Sequence, residues 1–116
     1  MGLLEEGRHW LESQRNAWLS VPVEYLRRDG ERLRIHATLG KTLFKVENAY
    51  GITIHVYSHD FLIASEVLPK DPQSGDKIYC DGVEYEVLAP SDEPVWRWSG
   101  TTHEVRRIHT KEIGRI

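Results

Sequence analysis

The chain has a single cysteine, Cys80, among 116 residues. No disulfide can close within it, which suits a reducing compartment. No apolar run approaches the roughly 20 residues that cross a bilayer as a helix, so the sequence predicts no membrane partner. The opening MGLLEEGRHWLE is acidic and amphipathic, without the apolar stretch of a secretory signal. Position 6 is Glu6, where a myristoylation signal has Ser or Thr. These absences predict synthesis in a cytoplasm. A positive field is missing as well. The chain carries 15 Lys and Arg against 18 Asp and Glu, a net of −3, so it lacks the long-range attraction that nonspecific nucleic-acid binding uses.

What is present is an ordinary globular mixture, 40% hydrophobic and 28% charged, which argues against wholesale disorder. The length predicts one domain over residues 1–116. The charge is unevenly spread. Residues 1–46 carry a net of +2, residues 47–96 a net of −8 and residues 97–116 a net of +3. Opposite-sign faces of this kind suit head-to-tail self-association; solvated surface charge produces the same pattern.

Residues 3–19 read as a helix. Leu3, Leu4, Trp10, Leu11, Ala17 and Trp18 recur at helical spacing, and Glu5, Glu6 and Glu12 fall off that stripe. Beyond it the period becomes two. Val21, Val23 and Tyr25 alternate with polar neighbours, then Leu33, Ile35 and Ala37 after the Asp29-Gly30 turn. LGKT at 39–42 reads as a turn, with a short strand around Phe44 and Val46 after it. Asn48 to Gly51 reads as a break. Ile52, Ile54 and Val56 alternate with Thr53, His55 and Tyr57 as a half-buried strand, and Phe61 to Ile63 form a separate short one. The Pro-containing stretch 68–76 is a loop. Strands at 77–80 and 83–88 flank Asp81-Gly82 as a hairpin, and 95–98 and 104–110 end the pattern, with 113–116 frayed. The fold predicted is mainly β, a small β-barrel or sandwich of seven to eight short antiparallel strands over 20–116, with an N-terminal α-helix over 1–19.

Few constellations suggest chemistry. His55 and His59 in HVYSH have the spacing of a helical metal pair, but they fall on strand and break, with no Cys pair or HExxH beside them. Cys80 alternates inward without a basic neighbour and reads as an inert buried thiol. LGKT echoes the end of a phosphate-binding loop but lacks its first glycine, since position 35 is Ile35. No catalytic, cofactor-binding or metal residue is therefore predicted, no cofactor is expected, and the chain does not read as an enzyme. VWRWSG stands out. On a strand Trp96 and Trp98 share one face and Arg97 takes the other. Such a group can stack nucleic-acid bases, pack in a core, or anchor a protein interface. The interface candidates are Trp96, Arg97 and Trp98, with Glu84 and Glu86 from the acidic segment and Trp10 from the helix.

From 52 to 98 the order of features is more specific. ITIHVYSHDFLIASEVLPKDPQSGDKIYCDGVEYEVLAP, then VWRWSG, runs from an apolar FLI segment through a Leu-Pro loop and GDKI to a hairpin ending DGVEYEVL. This resembles the head–tail connector proteins of tailed phages, the small stopper or head-completion proteins typified by the head–tail attachment protein of phage lambda. Leu68, Gly75, Asp76, Ile78, Gly82, Tyr85 and Val87 carry the likeness, over about half the chain. The resemblance implies a small β-barrel with added N-terminal structure and a structural role in phage morphogenesis. A ring of copies would sit below the portal, close the DNA channel and receive the tail. The implied partners are portal or adaptor proteins, tail proteins and further copies of itself, with DNA contact in the channel. The implied location is the virion, after assembly in host cytoplasm. No chemical site transfers with it. Two other readings stay open: a tail-completion protein, and a nucleic-acid-binding small β-barrel using Trp96, Arg97 and Trp98.

Overall fold

A computed structural model describes residues 20–115. The helix expected over 3–19, and Trp10 with it, lies outside the described residues. Within them there are seven strands and no helix: β1 (Ser20–Leu26), β2 (Arg32–Glu47), β3 (Thr53–Ala64), β4 (Lys77–Cys80), β5 (Val83–Val87), β6 (Trp96–Trp98) and β7 (Val105–Arg115). All pairings are antiparallel. The order β3-β2-β1-β4-β5-β7-β6, with β3 also paired to β7, closes the sheet on itself. β6 adds to β7 through Trp96 opposite Ile108 and Trp98 opposite Arg106.

Alternation puts the apolar set inside. Val23, Tyr25, Ala37, Phe61, Ile63, Leu68, Ile78, Cys80, Val87 and Ile108 form the core, with Val21, Leu33, Ile35, Tyr85, Val95 and Trp96 packed against it. Pro22 lies where β1 pairs with β2 on one side while β4 has not yet begun on the other, so its missing N–H costs no ladder bond. The tight β4–β5 turn has Asp81 and Gly82 both at positive φ, as a two-residue hairpin turn of this hand requires.

Two expected breaks are absent. Residues 39–42 are not a turn: β2 runs unbroken for 16 residues. Gly40 serves a close approach instead, since a Cβ there would lie 3.1 Å from the Arg107 guanidinium. Likewise β3 is one 12-residue strand through Ser58, His59 and Asp60, where polarity had suggested an interruption. β7 continues to Arg115 by pairing with β5 rather than fraying after 112.

The extra length has a consequence. β1 accompanies β2 only as far as Ser20 opposite Thr38, and β7 accompanies β3 only from His59 onward. Residues 39–47 of β2 and 53–58 of β3 therefore leave the closed sheet as a two-stranded arm. Its end is the Asn48–Gly51 turn, where the Asn48 side chain accepts from the amides of Tyr50 and Ile52. The arm contributes to extents of 61 × 31 × 24 Å. Ile52, Ile54 and Val56, expected to be half-buried, are exposed, because their strand segment has no second layer among the described residues.

The loop at 68–76 is held from inside. Asp76 is 2% exposed and accepts from the Tyr25 hydroxyl at 2.5 Å, the Gln73 amide at 3.0 Å and the Arg28 amide at 3.0 Å. Burial, then the Asp76 hydrogen bond, pushes the Tyr25 phenol far above its ordinary value, so it stays a neutral donor. Arg27 reaches the Lys70 carbonyl at 2.8 Å, and Arg106 reaches the Leu68 carbonyl and pairs with Asp71 at 2.9 Å. Leu68, Ile78 and Val87 are fully buried. Much of the Leu-to-Val pattern thus encodes a stapled loop and a core. Asp76→Ala would strand the buried phenol and two amides. Each such loss is worth about 1–3 kcal/mol, and urea unfolding should show a larger loss for Asp76→Ala than for Tyr25→Phe, which leaves Asp76 two of its three donors.

Candidate functional site

Where the arm leaves the closed sheet, its outer face carries a buried polar knot. Asp60 and His109 are directly opposite across β3 and β7. The carboxylate of Asp60 accepts from Ser58 Oγ at 2.5 Å, from Arg107 Nη1 at 2.8 Å and from Thr42, and lies 2.9 Å from His109 Nδ1. Three strands supply these groups: Thr42 from β2, Ser58 and Asp60 from β3, Arg107 and His109 from β7. Burial alone would raise the pKa of Asp60. The hydrogen bonds from His109, Ser58, Thr42 and Arg107 outweigh burial and hold its carboxyl well below the usual carboxylate range.

A serine, a histidine and an aspartate in contact suggest a hydrolase, and the geometry rejects that. Ser58 Oγ and Asp60 Oδ1 both address His109 Nδ1, at 3.4 and 2.9 Å. A triad needs its serine on one ring nitrogen and its carboxylate on the other. Ser58 is also only 3% exposed and donates to Asp60 itself. What the contacts do is tie β2, β3 and β7 together at the place where β2 and β3 depart.

The tryptophan pair faces inward on the opposite side of the sheet. Arg106 lies over both rings, its guanidinium carbon 4.8 Å from the Trp96 centroid and 5.0 Å from that of Trp98. The two rings meet edge to face at 5.0 Å, and His103 stacks on Trp98 at 5.2 Å. Both tryptophans are half-buried by their own chain. Ring faces covered in this way are not an open platform for successive bases. Arg97 points outward. It sits opposite Arg107 on β7, is exposed, and has no ion-pair partner among the described residues. Like charges across a strand pair are unfavourable unless something else meets one of them.

The arm extends this outer face. Opposed pairs Phe44–Val56 and Val46–Ile54 put four apolar side chains on one side of the ribbon. Phe44 contacts His109 edge-on at 5.1 Å. A hollow of about 240 Å³ at the arm's foot is lined by Thr42, Phe44, Glu93, Pro94, Trp96, Arg97 and His109. The surface is therefore continuous from exposed Arg97 along an apolar ribbon face. A family model for phage head–tail joining proteins matches residues 1–116. The chain belongs to the phage head–tail joining proteins. No curated protein matches it in sequence.

For a head–tail joining protein, a structural virion component that meets head and tail parts, the other predicted residues fall as follows. Glu86 pairs with Lys77 at 3.1 Å across the β4–β5 hairpin, and that contact raises the lysine's affinity for its proton. Glu84 lies opposite Tyr79, on the same outward side. Cys80 is buried, and burial and then Asp81 raise its thiol's pKa, which makes it a poor nucleophile. His55 and His59 are four residues apart on one continuous strand, roughly 13 Å at strand rise, so HVYSH is not a chelating pair. Sequence reasoning missed the Asp60 knot and the apolar ribbon of Phe44, Val46, Ile54 and Val56. The available signal was a switch of parity: the apolar positions pass from Leu33, Ile35 and Ala37 to Phe44 and Val46 across LGKT, and from Ile54 and Val56 to Phe61 and Ile63 across SHD, so each strand changes the face that is apolar.

Because the folded state favours ionised Asp60, its stabilising effect is complete above the unfolded-state value of about 3.9. It is lost as pH falls below that value toward the lower folded one. Asp60→Asn should cost about 3 kcal/mol at pH 7. Denaturant unfolding from pH 7 to pH 2 should show the gap from the natural protein closing below about pH 4. A gap independent of pH would contradict an ionised Asp60.

Proposed function

We propose that this head–tail joining protein works as a ring of identical copies between the portal or adaptor and the tail, a stopper that closes the DNA channel. The observation that carries this reading is the projecting β2–β3 arm. A two-stranded ribbon with apolar side chains on it is marginal in water on its own. A neighbouring copy at a fixed rotation supplies the missing cover, and such heterologous contacts close into rings. Phe44, Val46, Ile54 and Val56 are the apolar part of that contact, and Arg97 at the arm's foot is its charged anchor.

The acidic middle of the sequence gives the ring its second face. Glu84 and Glu86 on β5 are proposed to meet a basic surface of the next subunit, as residue charge alone suggested. Trp96 and Trp98 act behind this surface by holding the β6–β7 edge that presents Arg97. Trp10 is proposed as a contact from outside the described residues. Assembled copies would carry DNA contacts in the channel, without sequence readout. Assembly in host cytoplasm before incorporation into the virion follows from the same reading.

The deciding experiment is electron microscopy of lysates from the source phage or prophage with this gene deleted. DNA-filled or leaking heads beside separate, complete tails, restored to whole particles by added protein, are expected. Normal particles would sink the joining role for this chain, and full heads with defective tails would move it to tail completion. In the same complementation, Val56→Glu with Phe44→Glu should abolish restoration while leaving Tyr25–Asp76 packing intact by near-ultraviolet circular dichroism. Glu84→Lys, which leaves the Lys77–Glu86 pair untouched, should reduce particle yield with a thermal midpoint within about 2 °C of the natural protein, as surface substitutions usually do. Undiminished yield would remove β5 from the contact.

A further inference from the structure

We infer that the other face of the arm is a docking surface for the chain's own first 19 residues. The inference does not need the ring reading, whose apolar contact uses the opposite face, and it gives Trp10 its contact within its own chain. On this side the register places Leu39, Lys41, Leu43 and Lys45 of β2 against Phe61, His59, Tyr57 and His55 of β3. Leu39, Leu43 and Tyr57 are 53%, 45% and 63% exposed. They continue the core-facing side of the sheet, since Ala37 and Phe61 on the same alternation are fully buried. At the arm's root they border a hollow of about 260 Å³ lined by Leu39, Lys41, His59, Phe61 and Tyr85 among others. The interior of the closed sheet thus opens at this end onto a face whose apolar rungs have no cover among the described residues.

Three observations identify the occupant. The first is where the described chain begins. Ser20 opposes Thr38, one step from Leu39, so the described chain begins at the root of the arm, beside an edge of β2 that no described strand pairs with. The second is length. The apolar pattern of 3–19 as a helix spans about 25 Å, and the nine arm residues of β2 span roughly 30 Å. The third is chemistry. The segment's stripe of Leu3, Leu4, Trp10, Leu11, Ala17 and Trp18 is flanked by Glu5, Glu6 and Glu12. On the arm the basic rungs Lys41–His59 and Lys45–His55 alternate with the apolar rungs Leu39–Phe61 and Leu43–Tyr57. Arg8 and Arg15 lie in the segment and Glu47 near the arm's tip, which leaves opposite net signs on the two sides. An apolar stripe with acidic neighbours laid along this face covers its apolar rungs and brings carboxylates to its basic ones.

The test uses the full-length chain. Hydrogen exchange by mass spectrometry would compare the natural protein with Leu11→Glu/Trp18→Glu. Docking predicts exchange about tenfold faster over residues 39–45 and 55–61 in the variant, with 77–87 unchanged, as local opening without global loss requires. The reciprocal variant, Leu43→Glu/Tyr57→Ser, should raise acrylamide quenching of tryptophan emission about twofold as Trp10 and Trp18 become accessible. Unchanged exchange in the first variant or unchanged quenching in the second overturns the proposal. So does protection of the natural arm that fades on dilution, because the cover would then be a second copy.

Discussion

The pairing of β3 with β7 is the constraint on which the rest depends. Six register steps, His59 to Ala64 against Thr110 to Val105, close the sheet and do two different things on its two faces. On the inner face Phe61, Ile63 and Ile108 are sealed in the core. On the outer face Asp60 gathers His109, Arg107, Ser58 and Thr42. A buried carboxylate without partners costs several kcal/mol; with four it becomes a device of high specificity, because only one register brings all four within reach. The pairing also sets where closure stops. Beyond His59, β7 turns to β5, and β3 continues with β2 alone.

That departure point relates fold to function. A closed sheet leaves few free strand edges, which suits a stable subunit but offers little for assembly. Here the closed part holds the core, and the open part holds the apolar surface. The junction between them is made rigid by charge-assisted hydrogen bonds rather than by more apolar packing. Arg107 illustrates the economy of the arrangement. It reaches Asp60 because position 40 is glycine, and by standing opposite Arg97 it leaves that second arginine free to face outward. A residue that sequence alone makes look like turn punctuation is the clearance for a side chain from the last strand.

The core-building parts of the chain were legible in its sequence. Asp81-Gly82 names its own turn, and Ile78 and Val87 fall at alternating hairpin positions that face the core. The same alternation selects Val23 and Tyr25 in β1 and Ala37 in β2, all buried. What was not legible was continuity. Gly40 and the run Ser58-His59-Asp60 look like interruptions because local composition cannot show that Arg107, 67 residues after Gly40, and His109 will arrive to satisfy them. Exposure was equally hidden. Ile52, Ile54 and Val56 have the alternation of a half-buried strand, and alternation reports which face is apolar, never whether anything covers it.

The same reasoning explains why WRW misleads. Two tryptophans around an arginine resemble a binding platform, yet the arginine that engages them is Arg106, one strand away, and not Arg97 between them. Arg106 is nearly buried, bonded to the Leu68 carbonyl and Asp71, and its Nε has no hydrogen-bond partner among the described residues. The two indole faces compensate for that deficit through cation–π attraction. Inside, the tryptophans neutralise the cost of a buried cation that staples the 68–76 loop. Outside, the same strand pair presents Arg97 with no ion-pair partner among the described residues. The β6–β7 pair thereby separates a nearly buried arginine from an exposed one by the side of the sheet on which each lies, a distinction that residue type cannot make and strand parity can.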